Sequence, residues 1–339
     1  MKTVYVGMSG GVDSSVSALL LKEQGYRVVG IYMKNWSKDL PGMKCPWAED
    51  LADAKRVAVK LGIDFEVWDF EEEYRKKVVD YMLSEFKKGN TPNPDIMCNQ
   101  EIKFKLFHEK AMERGADFIA TGHYARVGTG LLRAKDENKD QTYFLYRISD
   151  EALRHTIFPI GEMTKPEVKK LAKEKGLHNA YKKESMGVCF VGEVGMKDFL
   201  KEYIEVNPGE IREVESDEVL GYHEGAVFYT IGQRHGLYIS GGMPYYVVKK
   251  DLAKNIVYVS KNLNDENLWT DELELKDIFV RAKYPKKQVL VRLRHRAPLV
   301  PATFDGKKIH FEQKIKRPAP GQSAVLYDNE TCLGGGIII

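Results

Sequence analysis

A glycine- and serine-rich stretch near the start of the sequence is the strongest candidate for chemistry. Residues 7–15 follow an apolar, β-prone run at residues 3–6 and precede a helical pattern. A strand that turns through paired glycines into a helix leaves backbone N–H groups unpaired and aimed at one point. Those donors, together with the positive end of the helix dipole, favour a bound phosphate.

Asp13 distinguishes this stretch from the usual mononucleotide-binding loop, in which a lysine reaches the β- and γ-phosphates. A carboxylate is better suited to holding Mg²⁺ beside a pyrophosphate than to neutralising one. The stretch resembles the pyrophosphate loop of the N-type ATP pyrophosphatases, which cleave ATP to AMP and pyrophosphate. It therefore predicts adenylation, with ATP and Mg²⁺ as cofactors. The alternative is a glycine-rich turn followed by a serine-capped helix.

Two of the four cysteines have neighbours typical of reactive thiols. Cys98 follows a proline-rich loop and lies near the predicted start of a helix, where the dipole favours a thiolate, and Asp95 lies three residues earlier. Cys189 lies in a glycine-flanked segment. Either cysteine alone could be buried and structural. Combined with an adenylating loop they predict sulfur transfer, because a thiolate or persulfide can displace AMP and a second thiol can resolve the persulfide.

Length and composition limit the class of protein. The chain has 339 residues, 43% hydrophobic and 30% charged, which is typical of a globular protein with a substantial core. We see no membrane-spanning run and no signal-peptide pattern, and we expect a cytoplasmic location. None of the cysteines lies in a CxxC pair, so we expect no zinc site and no resident metal.

The charge is unevenly distributed along the chain. The net charge is +3, yet residues 281–317 contain twelve Lys or Arg and two acidic residues. A basic C-terminal stretch on a mildly acidic body is typical of a protein that binds a polyanion such as a nucleic acid.

Alternating strand-like and helical patterns indicate how the candidate residues are positioned. We expect strands at residues 27–33, 63–68 and 118–120, and a helix from about residue 100 to 114. Short crossovers imply a doubly wound parallel α/β domain, residues 1–205, with its ligand at the carboxyl ends of the strands. A hairpin is expected to protrude within residues 126–148. A β-rich central domain, residues 206–264, and a basic β-barrel, residues 265–339, would follow.

The sequence resembles the bacterial tRNA-specific 2-thiouridylases over essentially its whole length. The matching segments are residues 7–15, 33–36, 93–95, 98–104, 121–126, 139–145, 187–190, 229–234, 320–322 and 332–336. The resemblance implies ATP contacts at Gly7, Met8, Ser9, Gly10, Gly11, Val12, Asp13, Ser14, Met33 and Gly122. It implies contacts with the target base at Asn93, Pro94 and Asp95. It implies tRNA contacts at His123, Lys139, Asp140, Gln141 and Gln322 and, in a loosely matched strand, at Arg292 and Arg294.

The resemblance also implies a mechanism. Asp95 would be the acid or base, Cys98 the family's nucleophile, and Cys189 the cysteine that receives the persulfide. Wobble uridine 34 would be adenylated on its C2 oxygen and then take sulfur, leaving a disulfide between the two cysteines. The implied partners are the anticodon arm of tRNA and a persulfide donor protein, and we expect a monomer.

Three alternatives remain open at this point. One is a ligase or amidotransferase with the same loop that acts on a small metabolite, although it leaves the basic stretch and both cysteines unexplained. Another is a non-catalytic RNA-binding protein with a relic loop. The third is a mechanistic variant in which Asp95 and the cysteines hold an iron–sulfur cluster.

Overall fold

The computed structural model describes residues 1–39, 45–183, 195–239, 243–281 and 288–339, which group into two compact units. The first unit comprises residues 1–79, 94–194 and 327–334, and the second comprises residues 80–93, 195–326 and 335–339. The helices are α1 Val12–Glu23, α2 Trp47–Leu61, α3 Glu71–Tyr74, α4 Asp80–Lys87, α5 Pro94–Met97, α6 Phe107–Glu113, α7 Thr142–Leu145, α8 Asp150–Arg154, α9 Lys165–Glu174 and α10 Met196–Lys201. The strands are β1 Thr3–Gly7, β2 Arg27–Lys34, β3 Asp64–Asp69, β4 Phe118–Thr121, β5 Arg126–Val127, β6 Leu131–Leu132, β7 Thr156–Ile157, β8 Gly209–Glu213, β9 Val219–His223, β10 Tyr246–Asp251, β11 Ile256–Ser260, β12 Trp269–Val280, β13 Gln288–Arg292, β14 Val300–Phe304, β15 Lys308–Lys316, β16 Ser323–Asp328 and β17 Thr331–Ile338.

A five-stranded parallel sheet forms the centre of the first unit. Its order is β3-β2-β1-β4-β7, so the chain winds outward in both directions from β1. Alternate residues of β1 face opposite sides: Val4 and Val6 belong to the core cluster under α1, α2 and α9, whereas Tyr5 packs on Trp68. The prediction of a doubly wound parallel sheet is confirmed. The short strand β7 was not evident from the sequence pattern.

One helical run from Pro94 to Glu113 carries Cys98 in the first unit. It begins earlier than the predicted residue 100, because Pro94 suits the first turn of a helix, where its missing N–H costs no hydrogen bond. Between α5 and α6 the run is π-helical over Cys98–Leu106, and a second π-helical segment spans Arg75–Val79. Such segments are rare and often lie at functional sites.

The hairpin predicted within residues 126–148 is short. β5 and β6 have two residues each, and β6 pairs with Thr331 and Cys332 of β17, so the hairpin extends a sheet instead of protruding alone. Residues 142–145 of the same stretch form α7.

Two β-sheets characterise the rest of the chain. One has the order β10-β11-β8-β9, and the other closes as a six-stranded barrel, β12-β15-β14-β13-β16-β17, through pairing of β12 with β17. The barrel was predicted, and the domain boundaries at residues 205 and 264 stay a prediction. The sequence pattern of residues 226–231 also predicts a strand, and this prediction is wrong: Ala226–Phe228 is a 3₁₀ turn, in which the Ala226 N–H donates to the Asn255 side chain and not to a neighbouring strand. No helix in the described ranges has the length and apolar character needed to cross a membrane.

Candidate nucleotide and cysteine site

The loop between β1 and α1 is held in one shape by its own serines and by Gly10. The Ser9 N–H donates to Ser14 Oγ at 3.2 Å, and Ser14 Oγ donates to the Gly11 carbonyl at 3.1 Å. Gly10 has φ +76°, and a Cβ at this position would lie 2.4 Å from the Asp50 carbonyl oxygen. Because both the backbone angle and the space exclude a side chain, the loop can present its N–H groups to a phosphate only with glycine here.

Asp13 is paired with a lysine that comes from a distant part of the sequence. Lys165 Nζ lies 2.7 Å from each Asp13 carboxylate oxygen, and the Tyr124 hydroxyl donates to Oδ1 at 2.9 Å. Lys165 opens α9, where Thr164 and Glu167 form a capping box, and its side chain is 8% exposed. Another helix thus brings a lysine next to the loop, and the sequence analysis did not find it.

Asn179 is a second residue that the sequence analysis missed. Its buried side-chain amide donates to the Gly10 carbonyl at 2.9 Å and to Ser15 Oγ at 2.8 Å. It therefore ties the loop at Gly10 to Ser15 in the first turn of α1.

Lys182 anchors the neighbouring end of α2. Its ammonium donates to Asp50 at 2.7 Å and to Asp53 at 2.6 Å. Burial acts to raise the pKa of Asp53, but hydrogen bonds from Lys182 and His178 outweigh it and hold that pKa below its usual value. The contacts of Lys182 with two carboxylates of α2 therefore fix the backbone of Asp50, against which Gly10 packs.

The structure brings the predicted ATP residues together at the carboxyl ends of β1, β2 and β4. Met8 and Val12 have buried side chains, so they can offer only backbone groups to a ligand. A Cβ at Gly7 would lie 2.9 Å from the Met33 methyl, and a Cβ at Gly122 would lie 2.6 Å from the Ser14 backbone nitrogen.

Gly122→Ala is expected to impair nucleotide use without unfolding the first unit, because the added methyl must displace the Ser14 N–H in the first turn of α1. We expect tRNA-dependent pyrophosphate release to fall at least about 10-fold, as misplacement of positioning groups does. Gly130→Ala is the matched control, since a Cβ there meets nothing within 4 Å. Equal rates for the two variants would contradict a role for Gly122 in shaping the loop.

Asp95 and Cys98 lie on the same helical run in the first unit. Cys98 is buried, and the next residue, Asn99, donates to the Phe144 carbonyl at 3.3 Å. Desolvation raises the pKa of Asp95, and the positive charge of Lys103 opposes that rise. A carboxyl with a raised pKa is suited to exchanging protons near neutral pH.

The predicted tRNA residues of the first unit make mainly internal contacts. His123 packs against Phe104, with ring centroids 5.7 Å apart, and burial lowers its pKa well below the usual value. The carboxylate of Asp140 is buried and accepts from Thr142, and Gln141 accepts from the Tyr124 N–H at 2.8 Å. Asp140 and Gln141 therefore shape their turn, and Lys139 is half-buried beside them. Contacts of these residues with tRNA stay a prediction.

In the second unit, the segment before Asn93 is held by several hydrogen bonds. Gln322 Nε2 donates to the Thr91 carbonyl at 2.6 Å, and Lys250 Nζ donates to the Gly89 carbonyl at 2.7 Å. Burial lowers the pKa of Lys250 to about 8. Gln322 thus positions the segment that leads into the predicted base-contact residues.

Arg292 and Arg294 differ in exposure. The Arg292 side chain is buried in the barrel strand β13, whereas Arg294 is exposed just after it. Of these two residues, Arg294 is therefore the one whose charge is exposed to solvent, and contacts of either residue with tRNA stay a prediction.

Three of the four cysteines lie in the described ranges. Cys45, Cys98 and Cys332 are buried. Cys189, the predicted persulfide carrier, lies outside the described residues. Among the residues that the structure describes, no group of three or more His, Cys, Asp or Glu side chains is placed to hold a metal ion.

Comparisons with known proteins cover the whole chain. Family models described as tRNA methyl transferase HUP domain, tRNA methyl transferase PRC-barrel domain and Aminomethyltransferase beta-barrel domain match residues 2–193, 197–261 and 270–338. The tRNA-specific 2-thiouridylase MnmA of Listeria monocytogenes is 48% identical over 99% of this chain and 94% of the relative. The corresponding protein of Bacillus subtilis is 47% identical with the same coverage. The chain belongs to the tRNA-specific 2-thiouridylase family.

Membership of the 2-thiouridylase family confirms the resemblance and the fold class predicted from the sequence. A HUP domain built on a parallel sheet, a PRC-barrel domain and a β-barrel domain follow one another along the chain. A solved 4-thiouridine synthetase–RNA complex with bound ATP is similar at a TM-score of 0.38 and 19% identity, covering 54% of this chain and 43% of that one.

Proposed function

We propose that this 2-thiouridylase adenylates the C2 oxygen of wobble uridine 34 in tRNA and then replaces that oxygen with sulfur. Family membership makes the chain an enzyme, a tRNA sulfurtransferase that uses ATP. The observation that carries the proposal is the 48% identity to a named 2-thiouridylase over 99% of the chain. The phosphate loop, Asp95 and Cys98 supply the groups that such a reaction requires.

Adenylation is the first chemical step. The C2 oxygen attacks the α-phosphorus of ATP, pyrophosphate leaves, and Asp95 accepts the proton from N3 of the base. Desolvation raises the pKa of Asp95, which makes its carboxylate a better base than an exposed one. The loop N–H groups and Lys165 hold the phosphates. Because these donors are fixed in place, they stabilise the negative charge that develops on the leaving pyrophosphate.

Mg²⁺ is the second cofactor that we propose. Asp13 is the loop residue whose carboxylate would hold it, and Mg²⁺ in nucleotide sites commonly uses one or two carboxylates together with phosphate oxygens. The ion would neutralise charge on the pyrophosphate. Because Lys165 contacts both oxygens of Asp13, the ammonium and the ion compete for one carboxylate.

Sulfur transfer completes the reaction. The terminal sulfur of a Cys189 persulfide attacks C2, and the C2–O bond breaks to release AMP. The Cys98 thiolate then attacks the Cys189 sulfur, which frees the C2 sulfur as 2-thiouridine, with N3 regaining a proton from Asp95, and leaves a Cys98–Cys189 disulfide. An external dithiol must reduce that disulfide before the next turnover.

The remaining partners follow from the chemistry. A persulfide donor protein must reload Cys189, and the basic stretch at residues 281–317 supplies charge for tRNA phosphates. We propose a monomer that acts in the cytoplasm, where unmodified tRNA is found.

The decisive experiment incubates the protein with ATP, a sulfide source and unmodified tRNA, and measures pyrophosphate release and nucleosides by mass spectrometry. We expect 2-thiouridine and one pyrophosphate per thiolated base. The same tRNA with cytidine at position 34 is the control and should give neither. Pyrophosphate release that does not depend on tRNA but increases when a small metabolite is added would instead favour the ligase or amidotransferase alternative.

A further inference from the structure

Lys103 is a half-buried lysine that the sequence analysis and the proposed function leave without a role. It lies in the π-helical segment Cys98–Leu106, five residues after Cys98. Because hydrogen bonds in a π-helix join residues five apart, Lys103 is one hydrogen-bonded turn beyond the cysteine. Within the described part of the chain, its ammonium has no hydrogen bond or ion pair, whereas the exposed Lys105 pairs with Glu101 at 3.5 Å.

Two neighbours of Lys103 belong to the predicted base end and the predicted nucleotide end of the site. Its charge acts on the Asp95 carboxyl and also on the His123 imidazole. His123 directly follows Gly122, the residue that packs on the Ser14 nitrogen of the phosphate loop. The next residue of the helical run, Phe104, packs on the His123 ring at 5.7 Å.

His123 cannot supply a positive charge here at neutral pH. Burial lowers its pKa well below the usual value, and the neighbouring Lys103 lowers it further. Of these two neighbouring side chains, Lys103 is therefore the one that can supply a cation.

We propose that Lys103 is a phosphate-binding catalytic residue, whose ammonium pairs with the phosphoryl group that joins AMP to the C2 oxygen of uridine. The inference rests on the proposed function, because a base held at Asp95 and adenylated by ATP at the loop beside Gly122 would place a phosphorus atom between the two. A half-buried ammonium that makes no hydrogen bond or ion pair with the described residues is well suited to bind such a group.

The proposed role acts in both chemical steps. During adenylation, Lys103 offsets negative charge on the equatorial oxygens of the α-phosphorus while pyrophosphate departs. During sulfur transfer, the C2–O bond breaks and its electron pair leaves with AMP, so the phosphate gains one negative charge beside the ammonium. No oxidant or reductant is needed for either contribution.

The test compares Lys103→Met with Lys103→Arg, using Lys105→Met as the matched control on the same helical run. We expect Lys103→Met to lower the maximal rate of tRNA-dependent pyrophosphate release about 100-fold, as loss of one oriented charge does, with less loss in the arginine variant. Lys105→Met should retain the wild-type rate. Thermal unfolding of all three variants reports whether each remains folded.

Two further readouts separate catalysis from structure and from RNA binding. Removing Lys103 removes the charge that lowers the pKa of Asp95, so the rise in rate with pH should shift to higher pH in Lys103→Met. The Kd for tRNA without ATP, and its salt dependence, should stay unchanged. A weaker Kd with a salt slope reduced by about one would assign Lys103 to an RNA backbone phosphate and overturn the proposal.

Two different outcomes of the experiment would contradict the proposed function and the role of Lys103. If the unaltered enzyme makes no 2-thiouridine, the proposed function is wrong. If the unaltered enzyme is active and folded Lys103→Met releases pyrophosphate at the same rate, only the assignment of Lys103 is wrong.

Discussion

Replacing Cys98 by serine is expected to stop the formation of 2-thiouridine while leaving tRNA-dependent pyrophosphate release in place. A serine hydroxyl cannot cleave a sulfur–sulfur bond, so the base stays joined to Cys189 after AMP has left. We expect thiolation to fall at least about 10³-fold, the scale seen when a nucleophile is removed. A covalent protein–tRNA species should accumulate on a non-reducing gel and disappear when dithiothreitol is added.

Cys45→Ser is the control for this variant. Cys45 is also buried, and its thiol donates to the Trp36 carbonyl at 3.7 Å, which a hydroxyl can also do. We expect wild-type thiolation from this control and no covalent species. Full thiolation by Cys98→Ser would show that Cys98 does not resolve the persulfide.

Local patterns in the sequence were sufficient to predict the sheet and the loop. The apolar run before Gly7 indicates a buried strand, and Gly62, the glycine after α2, indicates a left-handed helix end. Each of these constraints acts within a few residues of the chain. The start of the helical run at Pro94 was missed because a proline-rich segment favours a loop by composition, although proline is also accepted in a first helical turn.

The partners within the site could not be predicted in the same way. Lys165 is 152 residues from Asp13, and Asn179 is 169 residues from Gly10. Only packing of α9 and the turn after it against α1 creates these contacts. The sequence signal at Lys165 was a helix start, Thr-Lys-Pro-Glu, which predicts a capping box and says nothing about where the lysine side chain goes.

Burial also distinguishes residues that lie side by side in the sequence. Asp140 and Lys139 are neighbours in one matching segment, yet the Asp140 carboxylate is buried and accepts from Thr142 at 2.9 Å. A resemblance to a family assigns a role to every residue of a matching segment. The structure shows which of those side chains form hydrogen bonds within the protein. Hence Asp140 is expected to matter for the shape of the turn even where it also affects tRNA.

Replacing Lys165 by methionine is expected to cost about 10²–10³-fold in the rate of tRNA-dependent pyrophosphate release. Two effects act together: a cation beside the phosphates is lost, and Asp13 is left with an unopposed negative charge facing the same anion. Because the Lys165 side chain is 8% exposed and that of Asp13 is 29% exposed, the broken pair should also cost about 1–2 kcal/mol of folding free energy. Steady-state kinetics and chemical denaturation measure the two losses separately.

Lys170→Met is the matched control, since Lys170 lies on the same helix with its side chain 77% exposed and pairs with Glu174. The double variant Asp13→Asn, Lys165→Met separates the two effects of losing Lys165. It removes the uncompensated carboxylate, so stability should return while pyrophosphate release stays low. If the double variant instead regained the wild-type rate, the lysine would serve only to neutralise Asp13, and the phosphate loop would bind ATP through its backbone N–H groups alone. A rate lower in the double variant than in Asp13→Asn alone would identify Lys165 as the phosphate-binding lysine that the loop itself lacks, because both variants lack the carboxylate proposed to hold Mg²⁺.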